Sequence, residues 1–229
     1  MKVLIIIPAY NESGNIERVV NNLKKNFPKF DYVIINDGSK DNTAEICKKN
    51  KYNFVDLPVN LGLAGAFQTG MKYAWQNGYD AAIQFDGDGQ HRPEYIEPMI
   101  KEMEKSGADI VIGSRFVTER KPFSLRMLGS NLISFLILLT TFHKIKDPTS
   151  GMRLYNRKTL DEYANRINYG PEPDTLAYLI NRGCKVREVQ VTMDERIAGV
   201  SYLNMWSSIQ YMFRMCISIV FIQWFRKRG

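Results

Sequence analysis

Apolar runs and polar turns alternate along the chain up to about residue 115. Short β-branched and aliphatic runs predict five strands, at residues 3–7, 32–35, 53–55, 81–85 and 109–112. The segments between them place apolar residues every three or four positions, which is typical of helices with one buried face. Strands that alternate with helices in this way predict an α/β fold, a mostly parallel sheet with helices on both faces.

Polar residues follow four of these predicted strands at the point where each strand ends. The clusters are residues 10–12, 36–39, 86–90 and 113–115. Because the carboxyl ends of parallel strands meet at one edge of a sheet, and ligands bind there, the clusters are expected to form one site. A single polar loop would carry little weight, since most loops are polar.

The second half of the chain is less regular. Residues 186–191 alternate between apolar and polar side chains and predict a half-buried strand. Residues 132–139 are strongly apolar but fall short of the roughly 20 residues that a spanning helix needs. This pattern is compatible with a buried core helix or with a helix at a membrane surface, and it leaves both open.

The C-terminal segment has the pattern of an amphipathic helix. Residues 206–225 are apolar and aromatic, and a basic stretch ends the chain at 226–228. A polar stripe recurs at spacings of three and four residues, formed by Ser207, Gln210, Arg214 and Ser218. We therefore predict a globular domain, residues 1–203, followed by an amphipathic membrane-interface helix, residues 204–229. The alternative is a terminal helix packed on the protein's own core or on a partner subunit.

Charge and cysteine content narrow the classes of function. The chain has 31 Lys and Arg residues against 24 Asp and Glu, a net charge of +7, which favours an anionic partner. The sequence carries no zinc-finger or RNA-binding aromatic pattern, so a phosphorylated ligand or an acidic membrane is favoured over nucleic acid. Cys47, Cys184 and Cys216 are widely spaced and predict reduced thiols in a cytosolic protein.

A turn with two carboxylates follows the fourth predicted strand. Its sequence is Asp86-Gly87-Asp88, and the glycine lets the backbone bend tightly. Mg²⁺ takes oxygen ligands and usually shares its site between one or two carboxylates and substrate phosphates. In a basic chain, such a turn at the ligand-binding edge predicts a site for a divalent cation and a diphosphate. His91 follows closely, either as a further polar ligand or as a turn residue.

Six motifs in order along the chain resemble the family 2 glycosyltransferases of GT-A fold. They are Pro8-Ala9-Tyr10-Asn11-Glu12, Asn36-Asp37-Gly38-Ser39, Asp86-Gly87-Asp88-Gly89-Gln90-His91, Gly113-Ser114-Arg115, Asp147-Pro148-Thr149-Ser150-Gly151-Met152-Arg153, and Arg196 through Gly199 to Ser201. The chain looks most like the branch that contains dolichol-phosphate mannose synthase and bacterial polyprenyl-phosphate glycosyltransferases. The resemblance covers about residues 2–215.

This resemblance implies a Rossmann-like GT-A domain that acts as an inverting, metal-dependent glycosyltransferase. The donor would be a nucleoside diphospho-sugar, with a UDP-sugar favoured, and the acceptor a polyprenyl phosphate such as undecaprenyl phosphate. The implied cofactor is Mg²⁺ or Mn²⁺. The implied metal ligands are Asp86, Asp88 and Gln90. The implied nucleotide-sugar site is Pro8, Tyr10, Glu12, Asp37, Asp86, Gly87 and Asp88. Phosphates would be held by Arg115, Arg153, Arg196 and Ser201, and the catalytic set would be Asp86, Asp88, Arg115 and Arg153.

The sequence departs from the family pattern in two ways. Asn36 stands where the family often has Asp, which weakens the assignment of base contacts at that position. The Q-x-x-R-W motif of processive relatives is absent from the sequence, which argues against a polymerising synthase. One amphipathic segment in place of the spanning helices of related enzymes predicts a cytoplasmic protein, peripheral on the inner face of the cell membrane. A homo-oligomer or a separate membrane partner protein stays open.

The acceptor decides whether a general base is needed. A lipid phosphate is already largely anionic near neutral pH, since its second pKa is about 6, whereas a sugar hydroxyl needs a base. Asp174 lies where hydroxyl-directed relatives have that base, but it also fits the acidic first turn of a helix. The alternatives are therefore a hydroxyl-directed transferase in cell-surface polysaccharide assembly, a phosphatase that uses Asp86 and Asp88, and a non-catalytic nucleotide sensor at the membrane.

Overall fold

The computed structural model of the chain describes residues 1–194 and 205–222. Its strands are β1 (Val3–Ala9), β2 (Asp31–Asn36), β3 (Phe54–Asp56), β4 (Ala81–Gln84), β5 (Ile110–Ser114), β6 (Arg153–Asn156) and β7 (Val186–Gln190). Its helices are α1 (Ile16–Asn26), α2 (Thr43–Lys49), α3 (Gly62–Gln76), α4 (Ile96–Ser106), α5 (Leu125–Thr141), α6 (Arg157–Asn165), α7 (Pro173–Asn181) and α8 (Met205–Ile217). A 3-10 turn at Pro93–Tyr95 precedes α4, and a π-helical turn at Ser218–Ile222 continues α8.

The described strands form one sheet in the order β3-β2-β1-β4-β6-β5-β7. All pairs are parallel except those made by β6, which runs antiparallel to both β4 and β5. The predicted α/β fold with a mostly parallel sheet is therefore confirmed. The pattern along the chain did not predict β6, because its four residues, Arg153-Leu154-Tyr155-Asn156, contain no run of aliphatic residues.

The core lies on both faces of the sheet, which explains the unbroken aliphatic run of β1. Leu4 and Ile6 pack on one side with α3, whereas Ile5 and Ile7 pack on the other side with α1. Gly70 lets α3 approach closely, because a β-carbon there would lie 2.3 Å from Ile6 Cγ2. This packing fixes the end of β1, from which the polar turn at residues 10–12 leaves the sheet.

Helix α5 is apolar on its buried side and on its outer side. Ile133 and Ile137 are fully buried, whereas Leu132, Phe135 and Leu139 are 49%, 58% and 59% exposed. The interpretation of residues 132–139 as a buried core helix thus describes one side of this helix, whereas the membrane-surface interpretation stays a prediction. Its inner side belongs to the core, and its outer side presents an apolar surface along its whole length.

Helix α8 and the turn after it pack against α5 and α7. Met215 and Ile219 are buried in the core, whereas Phe213 and Phe221 are exposed. The predicted polar stripe is divided, because Ser218 faces inward to a buried partner while Gln210 and Arg214 are exposed. The predicted domain boundary at residues 203 and 204 lies outside the described residues. In the part of the chain that the structure describes, no helix is both long enough and apolar enough to cross a membrane.

Candidate active site

An open cavity of about 590 Å³ lies at the carboxyl ends of β1, β2 and β4. Its lining includes all seven residues predicted for the nucleotide-sugar site: Pro8, Tyr10, Glu12, Asp37, Asp86, Gly87 and Asp88. The first turns of α3 and the loop before it complete the wall with Asn60, Gly62, Leu63 and Ala66, which the sequence analysis missed. No motif marks these four residues, and they reach the site only because α3 packs across β1 and β2.

Hydrogen bonds join the turns that follow β1 and β2. The Asn11 N–H donates to Ser39 Oγ at 2.9 Å, and the Lys40 N–H donates to Asn11 Oδ1 at 2.8 Å. The Glu12 N–H donates to Thr43 Oγ1 at 3.0 Å. Asn11 has a φ of 56°, a left-handed conformation that asparagine tolerates better than most residues. These contacts hold Tyr10 and Glu12 at the cavity wall.

Asp37 and Gly38 fix the opposite wall of the cavity. Asp37 is buried, and its Oδ1 accepts the Leu61 N–H at 2.7 Å, which sets the chain direction into α3. Gly38 has a φ of 63°, and a β-carbon there would lie 2.7 Å from the main-chain nitrogen of Asn60. The glycine is therefore required for both its conformation and its close contact.

Asn36, the departure from the family pattern, has a structural role. Its side-chain amide donates to Asp56 Oδ1 at 2.7 Å, and its Oδ1 accepts from the Ser39 hydroxyl at 2.5 Å. The residue is buried between the ends of β2 and β3. Its amide group thus braces the turn that carries Asp37.

Asp86 and Asp88 lie on the loop after β4 and face the cavity together. Asp88 Oδ1 accepts the Gln90 N–H at 3.0 Å, and a β-carbon at Gly87 would lie 3.1 Å from the Pro8 carbonyl oxygen. The loop is therefore folded tightly against the end of β1. Gln90, the third predicted metal ligand, turns its amide nitrogen to the Asp194 carbonyl at 3.3 Å.

The two carboxylates fit a divalent cation that substrate phosphates help to ligate. Among the described residues, no three His, Cys, Asp or Glu side chains converge as a complete metal site. Mg²⁺ commonly binds through one or two carboxylates and completes its shell with water and phosphate oxygens. The oxygen donors of Asp86 and Asp88 meet that requirement beside a cavity large enough for a nucleotide.

Arg115 and Arg153 both hold the turn at residues 147–151 and do not line the cavity. Arg115 donates from Nε and Nη2 to the Asp147 carboxylate at 2.7 and 2.8 Å. Arg153 is buried, and it donates to the carbonyl oxygens of Ser150 at 2.9 Å and Pro148 at 2.5 Å. The same turn brings Gly151 against Asp86, since a β-carbon at Gly151 would lie 3.0 Å from Asp86 Oδ2. Both arginines thus brace the turn that lies against Asp86, and their phosphate-binding role stays a prediction.

The Arg115 pair shifts the ionisation of its carboxylate partner. Burial raises the pKa of the Asp147 carboxyl, but the hydrogen bonds and charge of Arg115, with the charge of Lys121, outweigh it. The pKa of Asp147 is therefore below its usual value, and the carboxylate is charged at neutral pH.

The remaining predicted residues lie away from the cavity or outside the described chain. Asp174 is buried near the start of α7, and its two oxygens accept from the Thr175 N–H at 2.8 Å and the Ser218 hydroxyl at 2.6 Å. Helix α7 begins at Pro173, which agrees with the interpretation of Asp174 as part of the first turn of a helix. Arg196 and Ser201 lie outside the described residues.

Known proteins resemble this chain in sequence and in fold. A family model described as Glycosyl transferase family 2 matches residues 4–164. The UDP-N-acetylglucosamine–dolichyl-phosphate N-acetylglucosaminyltransferase of Methanococcus voltae is 35% identical over 72% of this chain and 73% of its own length. The polyprenol monophosphomannose synthase of Mycolicibacterium smegmatis is 29% identical over 93% of this chain and 85% of its own. Glucosyl-3-phosphoglycerate synthase from Mycobacterium tuberculosis, solved with Mn²⁺, UDP and phosphoglyceric acid, shares the fold, with a TM-score of 0.71 at 16% identity over 97% of this chain and 78% of that chain.

Proposed function

The chain belongs to glycosyl transferase family 2, and from that premise we propose that it transfers a sugar to a polyprenyl phosphate, with inversion. The proposed donor is a nucleoside diphospho-sugar, preferably a UDP-sugar, and the proposed cofactor is Mg²⁺ or Mn²⁺. One observation carries the proposal: the seven residues implied for donor binding, among them the carboxylates of Asp86 and Asp88, line one cavity at the carboxyl edge of the sheet.

In the proposed reaction, some residues bind the donor and others stabilise charge. The turns at residues 8–12 and 37–38 hold the nucleoside part of the donor, and Asp86 and Asp88 hold the cation. When bound, the cation supplies positive charge against the leaving diphosphate. A phosphate oxygen of the acceptor attacks the anomeric carbon, and the bond to the diphosphate breaks.

The position of Asp174 supports a phosphate acceptor over a hydroxyl acceptor. A hydroxyl acceptor needs a general base within hydrogen-bond reach, whereas the anionic lipid phosphate does not. Asp174 is buried against Thr175 and Ser218 and does not line the cavity. Its contacts assign it to the junction of α7 with the C-terminal helix.

The outer side of α5 supports a membrane surface as the place of reaction. Together with Phe123 before it and Phe142 after it, this helix exposes an apolar stripe, which we call the α5 face: Phe123, Leu125, Leu128, Leu132, Phe135, Leu138, Leu139 and Phe142. Residues 117–146 contain five basic residues and one acidic residue, which complements an anionic lipid surface. The α5 face therefore adds to the predicted contact of the C-terminal helix and supports the proposed peripheral position on the inner face of the membrane.

A transfer assay tests the proposed reaction. Purified protein, Mg²⁺ or Mn²⁺, undecaprenyl phosphate and a panel of radiolabelled nucleotide sugars should give label in the organic phase with at least one donor. Asp88→Asn should abolish the transfer, whereas Glu104→Ala, which removes an exposed carboxylate on α4, should leave it unchanged. Sugar release without an acceptor at an equal rate would favour a hydrolase. Nucleotide binding with no transfer to any lipid would favour a sensor or a hydroxyl acceptor.

Vesicle sedimentation tests the proposed membrane surface. Replacing Leu132 and Phe135 together by Ser should lower the fraction of protein that sediments with vesicles of phosphatidylglycerol. Val59→Ser, which removes an exposed apolar side chain outside α5, is the matched control and should sediment like the parent chain. Equal sedimentation of the α5 variant, or a parent chain that instead forms dimers through this face, would contradict the proposal.

A further inference from the structure

His91 lies behind Asp86 and contacts it at two places. The imidazole Nδ1 accepts the main-chain N–H of Asp86 at 2.9 Å, which closes the loop of residues 86–91. The other ring nitrogen, Nε2, lies 3.3 Å from Asp86 Oδ2. The side chain of His91 is only 2% exposed, whereas that of Asp86 is 37% exposed, so the imidazole is buried and the carboxylate reaches solvent.

The first of these contacts determines which nitrogen of the neutral ring carries the proton. Nδ1 accepts a hydrogen bond from a main-chain N–H, so it must be the unprotonated nitrogen. The proton then lies on Nε2, the ring nitrogen that is 3.3 Å from Asp86 Oδ2. A single tautomer therefore satisfies both contacts, one to the main chain of Asp86 and one to its side chain.

Two further neighbours keep the ring and the carboxylate in place. The ring of Phe85 meets the His91 ring edge to face, with centroids 5.4 Å apart. On the other side, Gly151 leaves room for the pair, since a β-carbon there would lie 3.0 Å from Asp86 Oδ2 and 3.5 Å from His91 Cε1. The imidazole thus packs against Phe85, and the absence of a side chain at Gly151 leaves room for the imidazole and the carboxylate.

We propose that His91 is a positioning residue that, as its Nε2–H tautomer, orients the Asp86 carboxylate for its role as an oxygen ligand. The proposal rests on the proposed function, because it assigns the metal role of Asp86 from there. His91 itself is neither a ligand nor a general base. Outer residues that orient metal ligands typically contribute about 10–100-fold in metal affinity.

The tautomer can be measured directly, because the chain has only two histidines, His91 and His143. Long-range ¹H–¹⁵N spectra of protein labelled in histidine, recorded where the rings are neutral, should show one ring protonated on Nε2 alone. His143→Gln removes the exposed histidine and assigns the remaining signals to His91. A ring protonated on Nδ1, or a rapid mixture of both forms, would overturn the proposal.

Three variants separate the contacts of His91. His91→Gln can present a donor near the position of Nε2, His91→Asn an acceptor near the position of Nδ1, and His91→Phe neither while keeping the packing on Phe85. Binding of Mn²⁺ in the presence of UDP, measured by electron paramagnetic resonance, should weaken by about 10–100-fold in His91→Phe. The loss should be smaller in each single-contact variant, whereas His143→Gln should bind Mn²⁺ like the parent chain.

These measurements separate the failure of this inference from the failure of the proposed function. Mn²⁺ affinity within twofold of the parent chain in folded His91→Phe would overturn the role of His91. If that variant does not fold, parent-like affinity in both His91→Asn and His91→Gln overturns the role equally. A parent chain that binds Mn²⁺ with UDP, and loses affinity in the His91→Phe variant as expected, yet transfers no sugar, would instead contradict the proposed reaction alone.

Discussion

Single residues shape the cavity because they adopt backbone conformations, or permit close contacts with neighbouring atoms, that few side chains allow. Asn11 adopts a left-handed conformation at the end of β1, and Gly38 does so at the end of β2. Gly87 and Gly151 leave space beside Pro8 and Asp86 that a larger residue would fill. The site therefore depends on backbone geometry as much as on the charged groups that bind ligands.

Replacing Gly38 by Ala should disturb the wall of the cavity that Asp37 forms. The left-handed conformation should cost about 1–3 kcal/mol of unfolding free energy, and the contact with Asn60 should add to that and weaken UDP binding. Thermal unfolding and a UDP titration check both effects. Gly78→Ala is the matched control, because Gly78 has a similar φ of 71° with nothing within 4 Å of its added β-carbon. An equal effect of the two variants on UDP binding would contradict the role of Gly38.

The Arg115–Asp147 pair should make stability depend on pH in the acid range, in a direction that Arg115 sets against the effect of burial. The pKa of Asp147 is lower in the folded state than its ordinary value of about 3.9, so its contribution is complete above that value. It is lost as the pH falls through the lower, folded-state pKa. Urea unfolding along a pH series should therefore show that Asp147→Asn destabilises the protein most near neutral pH. Arg115→Met should weaken or reverse that pH dependence, because burial then raises the pKa of Asp147, and a difference that stays constant into acid would contradict the linkage.

At the scale of elements, the C-terminal helix is joined to α7 by two hydrogen bonds to carboxylates. The Tyr211 hydroxyl donates to Glu172 Oε2 at 2.5 Å, and the Ser218 hydroxyl donates to Asp174 Oδ2 at 2.6 Å. Burial and the Glu172 carboxylate raise the pKa of Tyr211, so its hydroxyl stays protonated as a donor. The segment that the sequence predicts at the membrane is thus hydrogen-bonded to the start of α7.

Removing these two donors should loosen α8 from the domain. Tyr211→Phe combined with Ser218→Ala removes one hydroxyl donor from each of the two carboxylates, and hydrogen bonds to charged groups contribute about 1.5–3 kcal/mol each. Hydrogen exchange of the amides in α8 should become faster, and the free energy of unfolding should fall. Gln210→Ala, at an exposed position of the same helix, is the control. Unchanged exchange in the double variant would show that apolar packing of Met215 and Ile219 alone holds the helix.

At the scale of the whole molecule, charge and apolar surface are expected to act together at a membrane. The net charge of +7 attracts the protein to anionic lipid over a distance that salt shortens, about 10 Å at 0.1 M. Binding to phosphatidylglycerol vesicles should therefore weaken as NaCl is raised, with a residual part from the α5 face. Neutral phosphatidylcholine vesicles should bind less and with little salt dependence. Sedimentation across a salt series measures both, and salt-independent binding to both lipids would contradict an electrostatic contribution.

The sequence predicts the donor half of this molecule better than the rest. The five strands up to residue 112 have strong apolar runs, and parallel pairing then brings Asp37, Asp86 and Asp88 to one cavity. The strand β6 was not predicted because it has no aliphatic run and because its direction depends on distant partners. For the same reason the burial of Arg153 cannot be inferred from its motif, since its partners are carbonyl groups in the folded turn.

The antiparallel direction of β6 determines where the segment between β5 and β6 begins and ends. The chain leaves the catalytic edge after β5 and returns to it at Arg153, so the segment between them is an excursion with both ends at the same edge. That excursion contains α5, whereas the nucleotide wall comes from β1, β2, β4 and α3. Exchanging residues 116–146 between relatives should therefore replace the α5 face, the proposed membrane contact, and leave the donor cavity unaltered.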